Sequence, residues 1–196
     1  MIIKMKIGIL GGSFDPVHRG HLMAARDAMD QHGLDKVIML PVSQTPRKLG
    51  FTKTAGHHRV AMLRAAIGHD QQIEVSDFEV AQGGVSYAIN TVRHFRVQFP
   101  ADELFWIIGA DQIPLLDQWR SIEEMEQLVE FIYLDRPGHP ATARPTTLGL
   151  KLHRCAGHLI EISSTELRDN LQKGQPVDAF VPTEVIGYIG HHRLYQ

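Results

Sequence analysis

The amino-acid sequence predicts an α/β fold in which helices cover both faces of an open parallel sheet. Short apolar runs such as Ile7–Leu10 have the length and composition of strands that are buried on both sides. Segments with apolar residues at helical spacing separate these runs, as in the repeat of Leu22, Ala25 and Met29. Strands that alternate with helices are joined by right-handed crossovers, so we expect parallel strands in a single domain over residues 1–196.

The first half of the chain shows strand and helix signals in alternation. A glycine or a proline follows each predicted helix and ends it, because glycine adopts the left-handed conformation of a helix end and proline cannot continue a helix. In chain order we predict the strand Ile7–Leu10, a helix ended by Gly33, the strand Val37–Leu40, a helix over residues 57–67 ended by Gly68, an extended segment Ile73–Val80 and a helix Ala88–Phe99 ended by Pro100.

Two helices of the second half are predicted to begin at serines with a glutamate three residues later, the spacing of a capping box. These serines are Ser121, with Glu124, and Ser163, with Glu166. In chain order we predict the strand Leu104–Ile108, a helix from Ser121 to about Glu130, the strand Phe131–Leu134, a loop from Asp135 to about Leu150, the strand Leu159–Ile162, a helix from Ser163 to about Gln172 and a final helix that begins at Pro182.

Composition and charge exclude several functional classes. The chain is 43% hydrophobic and 21% charged with a formal net charge of -2, whereas a non-specific nucleic-acid binder is normally basic. No apolar run approaches the ~20 residues that a membrane span needs. Lysines interrupt the first residues, Met1–Ile7, and a small-residue cleavage site is missing, so we expect a first strand rather than a signal peptide.

The single cysteine, Cys155, excludes an internal disulfide and a cysteine-based zinc site. No catalytic partner motif surrounds it, so we expect a buried structural thiol. A lone unpaired cysteine suits a reducing compartment. Together with the lack of a signal peptide and of a membrane span, it predicts a cytoplasmic protein.

Several well-known catalytic motifs do not occur in the sequence. These are the Gly-x-x-x-x-Gly-Lys phosphate loop, the Gly-x-Gly-x-x-Gly dinucleotide motif, the His-Glu-x-x-His zinc motif and the Gly-x-Ser-x-Gly serine-hydrolase motif. The adjacent pairs His57-His58 and His191-His192 are expected at solvated helix ends, because neighbouring helical residues point in different directions. We therefore predict no metal site formed by protein ligands.

The most informative segment runs from Gly11 to His21, directly after the first strand. Glycines let a phosphate approach the backbone, and the first N–H groups of a helix have no partners within that helix. His18 and His21 lie three residues apart where the helix begins, so both can face the same anion. A tight turn with two surface histidines is the alternative, but the preceding glycines and the apolar helix that follows favour a triphosphate site. The carboxyl ends of parallel strands meet at one edge of the sheet. We therefore predict that Asp111 and Ser163 lie on the same rim as His18 and His21.

The order Gly-Gly-Ser-Phe-Asp-Pro-x-His-x-Gly-His over residues 11–21 resembles the signature of the nucleotidyltransferase superfamily. Residues 162–168, Ile-Ser-Ser-Thr-Glu-Leu-Arg, resemble its second signature. The rest of the chain is similar to the bacterial nicotinate-nucleotide adenylyltransferases, and the resemblance extends from Ile7 to Tyr195. It rests on Ser86-Tyr87 with Thr91, on Gly109-Ala110-Asp111 with Trp119, on Arg59 with Met62-Leu63 and on Arg136-Pro137-Gly138.

The resemblance implies a Rossmann-like sheet and an enzyme of NAD biosynthesis. ATP and nicotinate mononucleotide would give deamido-NAD and pyrophosphate, with Mg2+ as cofactor. The mononucleotide phosphate is already ionised at neutral pH, so the enzyme has to align it with the ATP α-phosphate and stabilise the developing charge. Magnesium would bind through the ATP phosphates and water, and no protein carboxylate cage is expected.

The resemblance also implies three groups of site residues. The catalytic group is His18, His21, Lys48 and Arg168. The ATP-binding group is Gly11, Gly12, Ser13, Phe14, Gly109, Asp111, Ile162, Ser163 and Ser164. The acceptor-binding group is Arg47, Tyr87, Ala88, Trp119 and Arg120. In this scheme the histidines donate hydrogen bonds to phosphate oxygens, Arg168 clamps a phosphate, and Trp119 stacks on the pyridine ring.

Two departures from the family pattern lie on the acceptor side. Thr45-Pro46-Arg47-Lys48 stands where the family has Pro-Pro-His-Lys, and Ala88 stands where threonine is common. Nicotinamide mononucleotide therefore stays an alternative acceptor, as does phosphopantetheine, although the Gly-Ala-Asp and Trp region and the chain length disfavour the latter. A non-catalytic nucleotide-binding paralogue is the alternative of a different class. The expected partners are ATP and a pyridine mononucleotide, without nucleic acid or membrane, and a homo-oligomer is compatible with the sequence.

Overall fold

Six parallel strands form a sheet at the centre of the computed structural model, which describes residues 4–45, 54–135, 149–157 and 162–196. Their spatial order, β3-β2-β1-β4-β5-β6, is that of the Rossmann fold. The strands are β1 (Lys6–Gly12), β2 (Lys36–Pro41), β3 (Ile73–Val75), β4 (Glu103–Gly109), β5 (Glu130–Asp135) and β6 (Leu152–Ala156). The described helices are α1 (Arg19–His32), α2 (Gly56–Ile67), α3 (Phe78–Gln82), α4 (Ala88–Gln98), a 3-10 helix (Ala110–Gln118), α5 (Ile122–Leu128), α6 (Ser164–Gln172) and α7 (Thr183–His191).

The order of the strands reverses between β1 and β4. β1 pairs in parallel with β2 on one side and with β4 on the other. The chain therefore leaves β1 and β4 in opposite directions across the sheet, and a crevice forms outside their carboxyl ends. Gly11 and Gly12 end β1 and Gly109 ends β4, so all three lie at this crevice.

Apolar residues cover both faces of the sheet, as predicted. On one face α1, α2, α6 and α7 pack over Met39 and Ile107, and on the other α4, α5 and the 3-10 helix pack over Ile7 and Ile9. Because both faces are buried, the strands contain consecutive apolar residues rather than alternating ones. Within the described residues, no helix combines the length and the apolar character that crossing a bilayer requires.

Most predicted helix ends are confirmed, and one cap is wrong. Gly33 and Gly68 end α1 and α2 with φ angles of 62° and 61°. The Ser163 hydroxyl accepts a hydrogen bond from the Glu166 backbone at 3.2 Å and caps α6. Ser121 also precedes a helix, but it adopts a left-handed φ of 54° and its side chain makes no capping bond.

One predicted strand is too long, and one observed strand was not predicted. The extended segment predicted over Ile73–Val80 ends at Val75, because the Phe78 N–H turns back to the Ser76 hydroxyl at 3.3 Å and α3 begins. The structure has β6 at Leu152–Ala156, where the sequence predicts no strand. Of the strand predicted at Leu159–Ile162, residues 159–161 lie outside the described residues, and Ile162 is not in a strand. Residues 136–148 of the predicted loop also lie outside the described residues.

Candidate active site

Two histidines meet at the amino terminus of α1, directly after the carboxyl end of β1. His18 is the N-cap residue, and its backbone N–H donates to Nδ1 of His21 at 3.2 Å. The two ring centroids are 3.7 Å apart. Since Nδ1 of His21 accepts a hydrogen bond, the proton of its neutral ring lies on Nε2, which acts as a donor. The first turn of α1 adds the positive end of the helix dipole, while its Arg19 N–H donates within the protein, to the Phe180 carbonyl oxygen at 2.7 Å.

The glycines before this turn have different surroundings. A Cβ atom on Gly12 would lie 2.9 Å from the ring of Phe14, and that ring packs edge-on to His21 with 4.9 Å between centroids. A Cβ atom on Gly11 would meet Trp106 at an ordinary 3.8 Å. Phe14 has no exposed surface, so its ring is part of the core and a contact with ATP would involve its backbone. Gly12 is thus required by the packing that positions His21.

The second signature docks directly onto the first. The Ser164 hydroxyl donates to the Pro16 carbonyl oxygen at 3.1 Å, and Arg168 Nη1 donates to the Asp15 carbonyl oxygen at 2.6 Å. Arg168 Nη2 also donates to the Thr165 hydroxyl at 3.0 Å. The segment that carries the second signature therefore contacts the turn that leads to the histidines. Two of the guanidinium nitrogens act within the protein, and Nε of this buried side chain has no hydrogen-bond partner within the described residues.

Asp111 and Gly109 lie where β4 leaves the sheet. The Asp111 side chain is exposed, and its Oδ2 accepts a hydrogen bond from Gln112 Nε2 at 2.7 Å. A Cβ atom on Gly109 would come within 2.4 Å of Asp111 Oδ1. Glycine at this position therefore lets the carboxylate fold back over the strand end, on the same edge of the sheet as the histidines.

The acceptor-side residues gather at the amino terminus of α4. Tyr87 is its N-cap residue and Ala88 its first residue. The Arg120 guanidinium lies over the Tyr87 ring at 4.8 Å from the centroid, and Trp119 is half-buried at the end of the 3-10 helix. The structure thus brings Tyr87 and Arg120 together. The predicted residues Arg47 and Lys48 lie outside the described residues.

Arg59 is a central residue whose role the sequence did not reveal. Its side chain is 2% exposed and donates to three backbone carbonyls, of Thr54 at 3.1 Å, Ser13 at 2.9 Å and Val42 at 2.7 Å. Burial lowers the pKa of the guanidinium, and the nearby Asp15 charge acts in the opposite direction. Arg59 thereby joins the ends of β1 and β2. Its signal in the sequence was a charged residue on the apolar side of α2.

Glu79 is a second buried charge that sequence reasoning missed. The Thr91 hydroxyl donates to Glu79 Oε1 at 2.5 Å, and the carboxyl also bonds with Ser86. Burial raises the pKa of this carboxyl, while both hydroxyls oppose the shift. The Ser86 hydroxyl in turn accepts the Ser43 N–H at 2.9 Å, so Glu79 links α4 to the end of β2. No motif distinguishes this glutamate from a surface residue.

A cavity of about 460 Å³ opens beside the same strand end. Its lining includes Ser43, Gln44, Thr54, Arg59 and Val80. The polar lining and the buried guanidinium suit an anionic or strongly polar ligand. The cavity therefore extends the candidate site from the ends of β1 and β4 toward the end of β2.

The two histidine pairs lie together, which their distance in the sequence did not suggest. His58 Nδ1 is 2.9 Å from the Tyr188 hydroxyl, and the rings of His58 and His192 are 5.1 Å apart. His57, His191 and His192 are exposed, as predicted, and His58 is half-buried. In the part of the chain that the structure describes, no group of three histidine, cysteine or carboxylate side chains has the geometry to hold a metal ion.

Comparisons with known proteins show the family to which this chain belongs. The sequence profile of the cytidylyltransferase-like family matches residues 9–170. The probable nicotinate-nucleotide adenylyltransferase of Opitutus terrae is 55% identical over 192 residues, which are 98% of this chain and 98% of that protein. The chain belongs to the nicotinate-nucleotide adenylyltransferase family. The Shouchella clausii protein, another probable nicotinate-nucleotide adenylyltransferase, is 38% identical over 97% of this chain and 96% of its own length.

Solved structures of nicotinic acid mononucleotide adenylyltransferase share the fold of this chain. Plasmodium falciparum nicotinic acid mononucleotide adenylyltransferase complexed with NaAD superposes with a TM-score of 0.78 at 21% identity, over 97% of both chains. The same protein complexed with APC gives a TM-score of 0.75 at 20% identity, again over 97% of both chains. These likenesses confirm the predicted Rossmann-like fold class.

Proposed function

We propose that this chain transfers the adenylyl group of ATP to nicotinate mononucleotide, giving deamido-NAD and pyrophosphate in NAD biosynthesis. The docking of α6 onto the histidine turn supports this function most strongly. Ser164 and Arg168 bond to the carbonyls of Pro16 and Asp15, which brings the amino termini of α1 and α6 to one site. Two helix amino termini beside two histidines form a site for a polyphosphate. Two relatives that carry the nicotinate-nucleotide adenylyltransferase name, at 55% and 38% identity, support the same conclusion.

The proposed chemistry needs alignment and charge stabilisation rather than a strong base. An oxygen of the acceptor phosphate attacks the α-phosphorus of ATP, a new P–O bond forms, and the bond to the bridging oxygen breaks to release pyrophosphate. Nε2–H of His21, together with His18, donates to the phosphoryl oxygens as charge shifts toward the leaving group, and the positive end of the α1 dipole lies beside them. Arg168 and Lys48 remain predicted members of this group.

A divalent cation, which the family uses with ATP, fits this site as part of the nucleotide complex. Asp111 is an exposed carboxylate on the rim, and the described residues contain no three-ligand cluster that would bind a bare ion. We propose Mg2+, held by ATP phosphates and water, because magnesium retains several waters. When bound it supplies positive charge to the phosphates.

The acceptor side favours nicotinate over nicotinamide. The amino terminus of α4 at Tyr87 and Ala88 and the Arg120 guanidinium over Tyr87 both attract a negatively charged carboxylate. Their attraction for a neutral carboxamide is weaker. Trp119 adds an apolar surface near this position for the pyridine ring. The proposed location is the cytoplasm, in keeping with the buried thiol of Cys155.

The test measures pyrophosphate release from ATP and Mg2+ with nicotinate mononucleotide, nicotinamide mononucleotide or phosphopantetheine. We expect a strong preference for nicotinate mononucleotide. His18→Ala and His21→Ala should each lower kcat by about 10²–10³-fold, the loss typical of one preorganised donor. His69→Ala, at an exposed turn, is the matched control and should retain activity. Pyrophosphate release with another acceptor would identify that acceptor as the substrate instead. No pyrophosphate release with any acceptor would refute the proposed adenylyl transfer.

A further inference from the structure

The last residues of the chain return to the histidine turn at its beginning. The Tyr195 hydroxyl donates to Oδ1 of Asp15 at 2.7 Å, across 180 positions of sequence. Tyr195 adopts a φ of 63° and Arg193 a φ of 52°, in the left-handed region that bulky side chains seldom occupy. Such a backbone conformation persists when the surrounding contacts hold it. The contacts of Tyr195, which include its hydrogen bond to Asp15, hold this conformation of the last residues.

Asp15 is held at both of its polar ends. It is 1% exposed, its carbonyl oxygen accepts from Arg168, and its carboxylate accepts from Tyr195. Arg59 binds the Ser13 carbonyl at 2.9 Å from α2. The turn that leads into the two catalytic histidines is thus fixed by side chains from three distant parts of the chain.

We propose that Tyr195 is a positioning residue for adenylyl transfer, acting through Asp15 on the turn that presents His18 and His21. This inference rests on the function proposed above. A hydroxyl that donates to a buried carboxylate makes a charge-assisted hydrogen bond, which is short and directional. Burial also raises the pKa of the Tyr195 phenol, so the hydroxyl keeps its proton at neutral pH. Asp15 precedes His18 by three residues, so a shift of its carboxylate moves the imidazoles.

Removing the hydroxyl separates positioning from packing. The Tyr195 ring packs against the apolar core that includes Met62, and Tyr195→Phe retains this contact. The lost donor leaves the Asp15 carboxylate to readjust inside the protein. A small displacement of groups that act in the transition state lowers kcat more than it changes substrate binding.

The matched control is Tyr188→Phe. Tyr188 lies on α7, and its hydroxyl bonds with His58 rather than with Asp15. Both variants lose one hydroxyl from the carboxyl-terminal region. We expect Tyr195→Phe to lower kcat by about 10–100-fold with the KM for ATP within about 2-fold, as for a misplaced catalytic group. Tyr188→Phe should retain kcat within about 2-fold at a temperature well below unfolding. A kcat of Tyr195→Phe within the same range would overturn the inference.

Histidine-ring NMR provides a readout that does not depend on activity. In spectra that correlate ring nitrogens with ring protons, His18 and His21 are assigned from their substitution variants. We expect both signals to shift in Tyr195→Phe and to stay in place in Tyr188→Phe. If the wild-type protein releases no pyrophosphate with any acceptor, the proposed function fails and the ring spectra alone decide. Unchanged ring signals would then refute the positioning role.

Discussion

Gly11 and Gly12 are neighbours at the end of β1, but only Gly12 is required by packing. A Cβ atom there would lie 2.9 Å from the fully buried Phe14 ring, whereas a Cβ atom on Gly11 would lie 3.8 Å from Trp106. We expect Gly12→Ala to lower the free energy of unfolding by about 1–3 kcal/mol. The added methyl group overpacks the core, because the buried Phe14 ring has to shift against its neighbours. Urea unfolding measures this change. Turnover should fall as well, because the same ring contacts His21.

Gly11→Ala is the matched control for stability. Its free energy of unfolding should stay the same or rise by up to about 1 kcal/mol, since the substitution reduces the freedom of the unfolded chain. Its KM for ATP should rise, because a methyl group occupies space through which a phosphate approaches the backbone. Equal loss of stability in both variants would show that the Phe14 contact does not distinguish these glycines.

At the residue scale the sequence indicates which groups would face a ligand, and that assignment stays a prediction. Glycines, histidines and a serine cap have chemistry that their local pattern reveals, and Ser163 caps α6 as expected. Arg59 and Tyr195 instead bind backbone carbonyls or a carboxylate that are far away in sequence. No local pattern shows which polar group a buried side chain will meet, so their roles required the folded chain.

At the scale of elements, we expect the contact between α2 and α7 to be sensitive to pH. His58 faces Tyr188 of α7, His192 at the C-cap of α7 and His57 from its own helix. Burial lowers the pKa of His58 below its ordinary 6.5, and the two neighbouring histidines act in the same direction. The unfolded chain therefore binds a proton at His58 more readily than the folded chain does. Protonation of His58 lowers the free energy of unfolding as the pH falls through about 6.5 and below.

We expect the wild-type protein to lose more unfolding free energy between pH 8 and about 5.5 than His58→Gln, which cannot be protonated. The glutamine amide can still contact the Tyr188 hydroxyl. Urea unfolding at several pH values measures the difference, and His69→Gln, at an exposed turn outside this cluster, is the control. Parallel pH curves for wild-type protein and His58→Gln would contradict the prediction.

The edge strand β6 shows why some elements escape prediction. Its segment carries His153 and Arg154 rather than a continuous apolar run. Arg154 and Lys151 form ion pairs with Asp135 and Glu130 of β5 at 2.6 Å each. Ion pairs with β5 accompany this strand, and its own residues do not form the apolar run by which a strand is predicted. The apolar strands β1, β2 and β4, which are buried on both sides, were predicted from their own residues.

At the scale of the whole molecule, the reactivity of the Cys155 thiol measures how often the core on one face of the sheet opens. It has no exposed surface and packs in the core cluster that also contains Ile132 and Leu167. Burial raises the pKa of its thiol to about 11, so very little reactive thiolate is present at pH 8.

We expect the native protein to react slowly with a thiol reagent at pH 8 and rapidly in denaturing urea, because reaction requires opening of the fold. The control replaces Cys155 with alanine and introduces Val97→Cys on α4, where the side chain is 83% exposed. This second thiol should react at once in the folded protein. Fast, stoichiometric labelling of native Cys155 would contradict the buried arrangement.

The sequence by itself determined the alternation of strands and helices and the helix ends at Gly33 and Gly68, and it predicts a phosphate site of glycines and histidines after β1. These features depend on neighbours within a few residues, where spacing and conformational preference act directly. The tertiary structure decided how Arg168 and Tyr195 meet at Asp15, across 153 and 180 positions of sequence. Hydrogen bonds between buried groups that far apart exist only once the sheet has brought both ends of the chain together.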